Sequence, residues 1–110
     1  GSHVNAVGSG TPTFREIDEE VLKRSKIVAD DIEAAMSETG DFITPMKMGL
    51  FSKEMIYAGL GEVVSGKKVG RTSEGEITLF KSVGLALEDV AAAQFIYERV
   101  TKEGLGTKIA

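Results

Sequence analysis

Three short runs of strand-forming residues, His3–Val7, Lys26–Asp30 and Glu76–Lys81, are separated by helical stretches and nowhere joined by a two-residue hairpin turn. Strands without hairpins must pair in parallel through crossover connections, which places the chain in the α/β class with a parallel sheet and flanking helices. Such sheets are normally covered on both faces. Three strands make a small sheet of this kind, and the first and third each call for a neighbour, a sign that the architecture is partial.

The helices carry their own punctuation. Asp18 is predicted to cap Glu19–Arg24, with acids in the first turn and bases in the last. Asp30 or Asp31 caps a second helix through Glu38, with Gly40 as its left-handed stop. Phe42–Leu50, containing Pro45, Met46 and Met48, reads as an apolar loop. Ile56, Leu60, Val63 and Val64 share one face at helical spacing, so Ser52–Ser65 is predicted as a helix ended by Gly66. Lys67–Gly75 is a polar loop. The turn Ser82-Val83-Gly84 leads into the longest helix, Leu85–Glu103, stopped by Gly104.

Composition excludes more than it assigns. The chain has no cysteine, which removes disulfides, thiolate metal sites and cysteine nucleophiles and makes a cytoplasmic setting the default expectation. A single histidine, His3, leaves no basis for a histidine metal site, and no metal is expected. Thirteen Lys and Arg against 17 Asp and Glu give a net charge of −4, with the basic residues dispersed, so no nucleic-acid partner is expected. No apolar stretch nears the roughly 18 residues of a membrane-spanning helix, and no membrane partner is expected.

In open parallel sheets, ligands bind beyond the carboxyl ends of the strands. Two turns qualify: Asn5-Ala-Val-Gly-Ser-Gly10 after the first strand, and Phe80-Lys-Ser-Val-Gly84 after the third. Each also reads as a plain structural connection. No G-x-G-x-x-G, P-loop or nucleophile-elbow motif is present, and Pro12 prevents a helix from opening at Gly8-Ser-Gly10. The acid pairs Glu19-Glu20, Asp30-Asp31 and Glu88-Asp89 sit at helix starts and read as caps, and His3 reads as a packed or hydrogen-bonded strand residue.

These two turns carry a resemblance. His3-Val-Asn-Ala-Val-Gly-Ser-Gly-Thr-Pro-Thr-Phe-Arg-Glu-Ile-Asp18 resembles the N-A-[VI]-G and R-E-[LI]-D segment of the ornithine cyclodeaminase/mu-crystallin family. Gly61-Glu62-Val-Val-Ser-Gly66, Gly70-Arg71-Thr72 and Glu76-Ile-Thr-Leu-Phe-Lys-Ser-Val-Gly-Leu-Ala-Leu-Glu-Asp-Val-Ala-Ala-Ala93 resemble its later blocks, in order. The resemblance implies that residues 1–110 are the C-terminal portion of a Rossmann NAD(P)-binding domain, with about 85–103 as a return helix. The glycine-rich loop, the ribose-binding acid, the substrate-binding arginine and lysine, and the oligomerisation domain would lie upstream. It further implies NAD or NADP as cofactor, an amino acid or cyclic imine as substrate, and a homodimeric parent. Val7, Gly8, Ser9, Gly10 and Ser82 would contact the cofactor, and Val83 the substrate.

Two positions depart from the cyclodeaminase pattern, which carries an aspartate where this chain has Gly10 and a lysine where it has Phe14. Gly10 cannot move a proton or pair with an ammonium group. The expectation is therefore an imine reductase or amino-acid dehydrogenase, with no catalytic residue within this segment and no activity in it alone. The alternative is a non-catalytic dinucleotide or small-ligand binder of the mu-crystallin kind.

Overall fold

The computed structural model describes residues 1–109. In chain order the elements are β1 (His3–Ala6), α1 (Glu19–Arg24), β2 (Lys26–Ala29), α2 (Ile32–Glu38), α3 (Gly40–Lys47), β3 (Ile56–Gly59), α4 (Leu60–Val64), β4 (Thr78–Lys81) and α5 (Ala86–Glu103). The four strands form one parallel sheet in the order β1-β4-β2-β3. The α/β class and the parallel pairing are as expected, but the sheet has a fourth strand.

That strand is the main correction. Ser52–Ser65 is not one helix: a single 3-10 turn at Lys53–Met55 leads into β3, and only Leu60–Val64 is helical before Gly66 closes it at φ +76°. The apparent helical face arose where a strand runs straight into a helix. Ile56 and Ala58 are buried by strand alternation, whereas Leu60 and Val63 are half-buried on α4. Four strand residues are too few for the two periods to separate.

The second correction concerns residues 40–50. Thr39 is extended and ends α2, Gly40 opens α3, and the Thr39 hydroxyl accepts from Asp41 N. Pro45 sits inside α3, and the left-handed stop falls instead at Gly49, φ +71°, with Leu50 N donating to the Pro45 carbonyl. The Asp18 cap forms as expected, accepting from Val21 N, and of the two candidates Asp30 and Asp31 it is Asp31 that caps α2, accepting from Ala34 N. Gly104 ends α5 at φ +66°.

One face of the sheet carries the core. Ala6, Ile27, Ala29 and Leu79 point to the same side and pack with Leu22 of α1, Ala35 of α2 and Phe42 of α3. Phe42 stacks on Phe51 with ring centroids 4.7 Å apart. The opposite face is only partly covered. His3, Asn5, Val28 and Phe80, with Leu60 and Val63 of α4, line a trough of about 430 Å³. There His3 hydrogen-bonds Thr78 Oγ1 at 2.7 Å and Asn5 Oδ1 at 3.1 Å.

Helix α5 leaves this body. None of its residues is buried, and Leu87, Val90, Phe95, Ile96 and Tyr97 are all more than half exposed. The radius of gyration is 17.1 Å, against about 13 Å for a compact chain of this length.

Candidate functional site

β1 and β4 are neighbours, so the turns that follow them emerge side by side at the carboxyl edge of the sheet. Ser82 N donates to the Ala6 carbonyl and Asp30 N to the Lys81 carbonyl, carrying the ladder into the turns. A Cβ built on Gly10 would lie 3.8 Å from the Val83 carbonyl oxygen, so the two turns are in contact range. All six residues singled out in the sequence thus gather at one edge.

Their side chains have different fates. Val7 is 65% exposed, Gly8 and Gly10 are exposed, and Ser82 and Val83 are half-buried. Ser9 is buried; its hydroxyl donates to the Phe14 carbonyl and lies 3.1 Å from Thr39 Oγ1. What Ser9 offers to the outside is main chain. Gly8 and Gly10 lack left-handed backbone, so neither is a glycine for conformational reasons. A Cβ on Gly8 would come 2.5 Å from Glu16 Oε2, the end of a one-third-exposed side chain, so a substitution there would displace the Glu16 carboxylate and not the backbone. Around Gly10 there is room for a side chain, so its missing carboxylate is a chemical feature of the site and no requirement of the fold.

The first turn rests on a buried charge cluster. Glu16 Oε1 accepts from Gly8 N at 2.7 Å and lies 3.2 Å from Lys81 Nζ. The Lys81 ammonium also lies 2.8 Å from Asp41 Oδ2, with both side chains fully buried. Asp41 Oδ1 in turn accepts from the main-chain N–H groups of Glu16 and Ile17. Two carboxylates around one buried ammonium, each further hydrogen-bonded, satisfy the conditions under which a buried ion pair is tolerated.

The second turn rests on Asp30. Its Oδ2 accepts from Ser82 Oγ at 2.8 Å and from Val83 N and Gly84 N at 2.9 Å each, and Oδ1 accepts from Asp31 N at 2.8 Å. Burial pushes this carboxyl up, but the hydrogen bonds from Ser82 and three main-chain N–H groups outweigh it and hold it below its ordinary 3.8. A lowered folded-state value means the contribution is complete above pH 3.8 and is lost as pH falls through the lower folded value. Asp30→Asn is therefore expected to reduce the urea midpoint at pH 6, with the gap from wild type narrowing at pH 2.5. A gap that is constant with pH would rule this out.

Asp30, Glu16, Asp41 and Lys81 were not singled out as site residues in the sequence. A signal existed for Lys81, because Leu79 faces the core and strand alternation puts Lys81 on the same side. In the sequence Asp30 has only the signature of a helix cap, and nothing local marks Asp41.

The sequence matches the ornithine cyclodeaminase/mu-crystallin family over residues 1–104. It is 48% identical to Delta(1)-pyrroline-2-carboxylate reductase of Bacillus cereus over 99% of this chain and 34% of that protein. Among solved structures it resembles Thermococcus litoralis Delta(1)-pyrroline-2-carboxylate reductase in complex with NADH and L-proline, with TM-score 0.90 and 46% identity over 99% of this chain and 34% of that one. It also resembles an archaeal alanine dehydrogenase dimer with bound NAD, with TM-score 0.84 and 43% identity over 100% and 34%. The chain spans about a third of the length of these relatives. With the family's sequence blocks spread from β1 to α5 and the fold shared along nearly every residue, the chain belongs to the ornithine cyclodeaminase/mu-crystallin family.

Proposed function

We propose that residues 1–110 form the C-terminal part of a Rossmann NAD(P)-binding domain in a cytoplasmic, homodimeric oxidoreductase that reduces a cyclic imine or interconverts an amino acid and its imine. The observation that carries this reading is the contact of two turns at the carboxyl ends of adjacent parallel strands, each anchored from below by a carboxylate.

The residues present fit a nicotinamide. Val7 offers an exposed apolar surface beside the open backbone of Gly10, and Ser82 offers a half-buried hydroxyl. Val7, Gly8, Ser9, Gly10 and Ser82 would hold the ring, with Ser9 contributing main chain, and Val83 would border the substrate. A bound NAD(P)H supplies the hydride. The residues of this chain orient it: the Glu16–Lys81–Asp41 cluster fixes the first turn, and Asp30 fixes the second.

No side chain at Gly10 can take a proton from a substrate amine. The full-length protein is therefore expected to oxidise NADH or NADPH with Δ1-pyrroline-2-carboxylate and to form no proline from ornithine. Robust proline formation from ornithine would refute the assignment, and tight NADPH binding without reduction of any imine would make the protein a binder instead.

A further inference from the structure

The polarity of the Ser82 hydroxyl is set from below. A carboxylate can only accept hydrogen bonds, so the Ser82 hydroxyl hydrogen is committed to Asp30 Oδ2 at 2.8 Å. Gly84 N donates to the same carboxylate oxygen at 2.9 Å and to Ser82 Oγ at 3.2 Å, so the hydroxyl already accepts one hydrogen bond from the turn and keeps one lone pair for a ligand. Ser82 Oγ thus faces an incoming ligand as an acceptor. An amide N–H meets a lone pair there, whereas a carbonyl or methyl group gains nothing.

We infer that Asp30 is a positioning residue that fixes Ser82 as a hydrogen-bond acceptor and so selects a ligand bearing an amide N–H at that position. This rests on the reading of Ser82 as a cofactor contact. On that reading the selected group is the carboxamide of the nicotinamide ring, and Asp30 discriminates dinucleotides by the substituent on that ring without touching them.

The experiment is calorimetric titration of the full-length protein with NAD+ and with 3-acetylpyridine adenine dinucleotide, whose neutral acetyl group matches the carboxamide in shape but has no N–H. Wild type is expected to bind NAD+ about tenfold more tightly, the worth of one hydrogen bond. Ser82→Ala should bring the ratio close to one. Asp30→Ala, which leaves the Ser82 hydroxyl free to rotate and to donate, should do the same where circular dichroism shows it folded, whereas Asp30→Asn, whose carbonyl oxygen stays toward Val83 N and Gly84 N, should keep the preference. A wild-type ratio near one, or a ratio that survives Ser82→Ala or Asp30→Ala, overturns the inference while leaving cofactor binding intact. Failure of wild type to bind either dinucleotide overturns the proposed function as well. Should Asp30→Ala not fold, Asp30→Ser, which keeps a polar group beneath the turn without a fixed acceptor, takes its place in the same titrations with the same expected outcome.

Discussion

Replacing Lys81 by alanine is expected to cost the protein about 3–5 kcal/mol of folding stability, read as a fall in the urea midpoint. The loss comes less from a missing attraction than from what remains. Asp41 is fully buried, and its Oδ2 would keep only the long 3.3 Å bond from the Thr39 hydroxyl. Glu16, one-third exposed, can turn to water, but it would then release Gly8 N. A double replacement, Lys81→Met with Asp41→Asn, should recover much of the loss, since the asparagine oxygen can still accept from Glu16 N and Ile17 N. If the double variant is as unstable as the sum of the two single variants, the coupling is absent and the cluster is not acting as a unit.

Gly40→Ala is expected to be nearly as damaging, at about 3 kcal/mol, the upper part of the range for overpacked sites. An added Cβ would come 2.3 Å from the Phe14 carbonyl oxygen and 2.9 Å from that of Pro12. Both are main-chain atoms, so no side chain can swing aside; the 11–14 loop or the start of α3 must move. The loop is also held by Gly40 N donating to the Thr11 carbonyl and by Ser9 Oγ donating to Phe14. Displacing it therefore loosens the Gly8–Gly10 turn from behind. Urea denaturation with amide exchange at Gly40 and Gly8 tests this, and unchanged protection at Gly40 would show that the loop had not moved.

The sequence disclosed what local chemistry controls. The Asp18 and Asp31 caps, the Gly66 and Gly104 stops and the two turns at the strand ends are all written in adjacent residues. β3 was hidden because Ile56–Gly59 joins α4 with no intervening loop, and α3 was hidden because Pro45 and the methionines around it argue for a loop. The site followed the same division. Its surface residues were marked by glycines and a recognisable block, whereas the groups beneath it are joined only in three dimensions. Lys81 meets Glu16 across 65 residues, and Asp30 meets Ser82 across 52.

The order β1-β4-β2-β3 also constrains how the chain assembles. Of these four strands the last in sequence, β4, lies between β1 and β2, and His3 meets Thr78 across 75 residues. Among these four strands β4 is the neighbour of β1, and β2 lies between β4 and β3. A nascent chain stopped short of Thr78 would hold the β2-β3 pair without the strand that links it to β1. The closing event is therefore the insertion of β4 with Lys81, which brings the cation to Glu16 and Asp41 in the same step. Contacts so distant in sequence slow folding in general, and here the same strand that joins β1 to β2 carries the cation beneath the first turn.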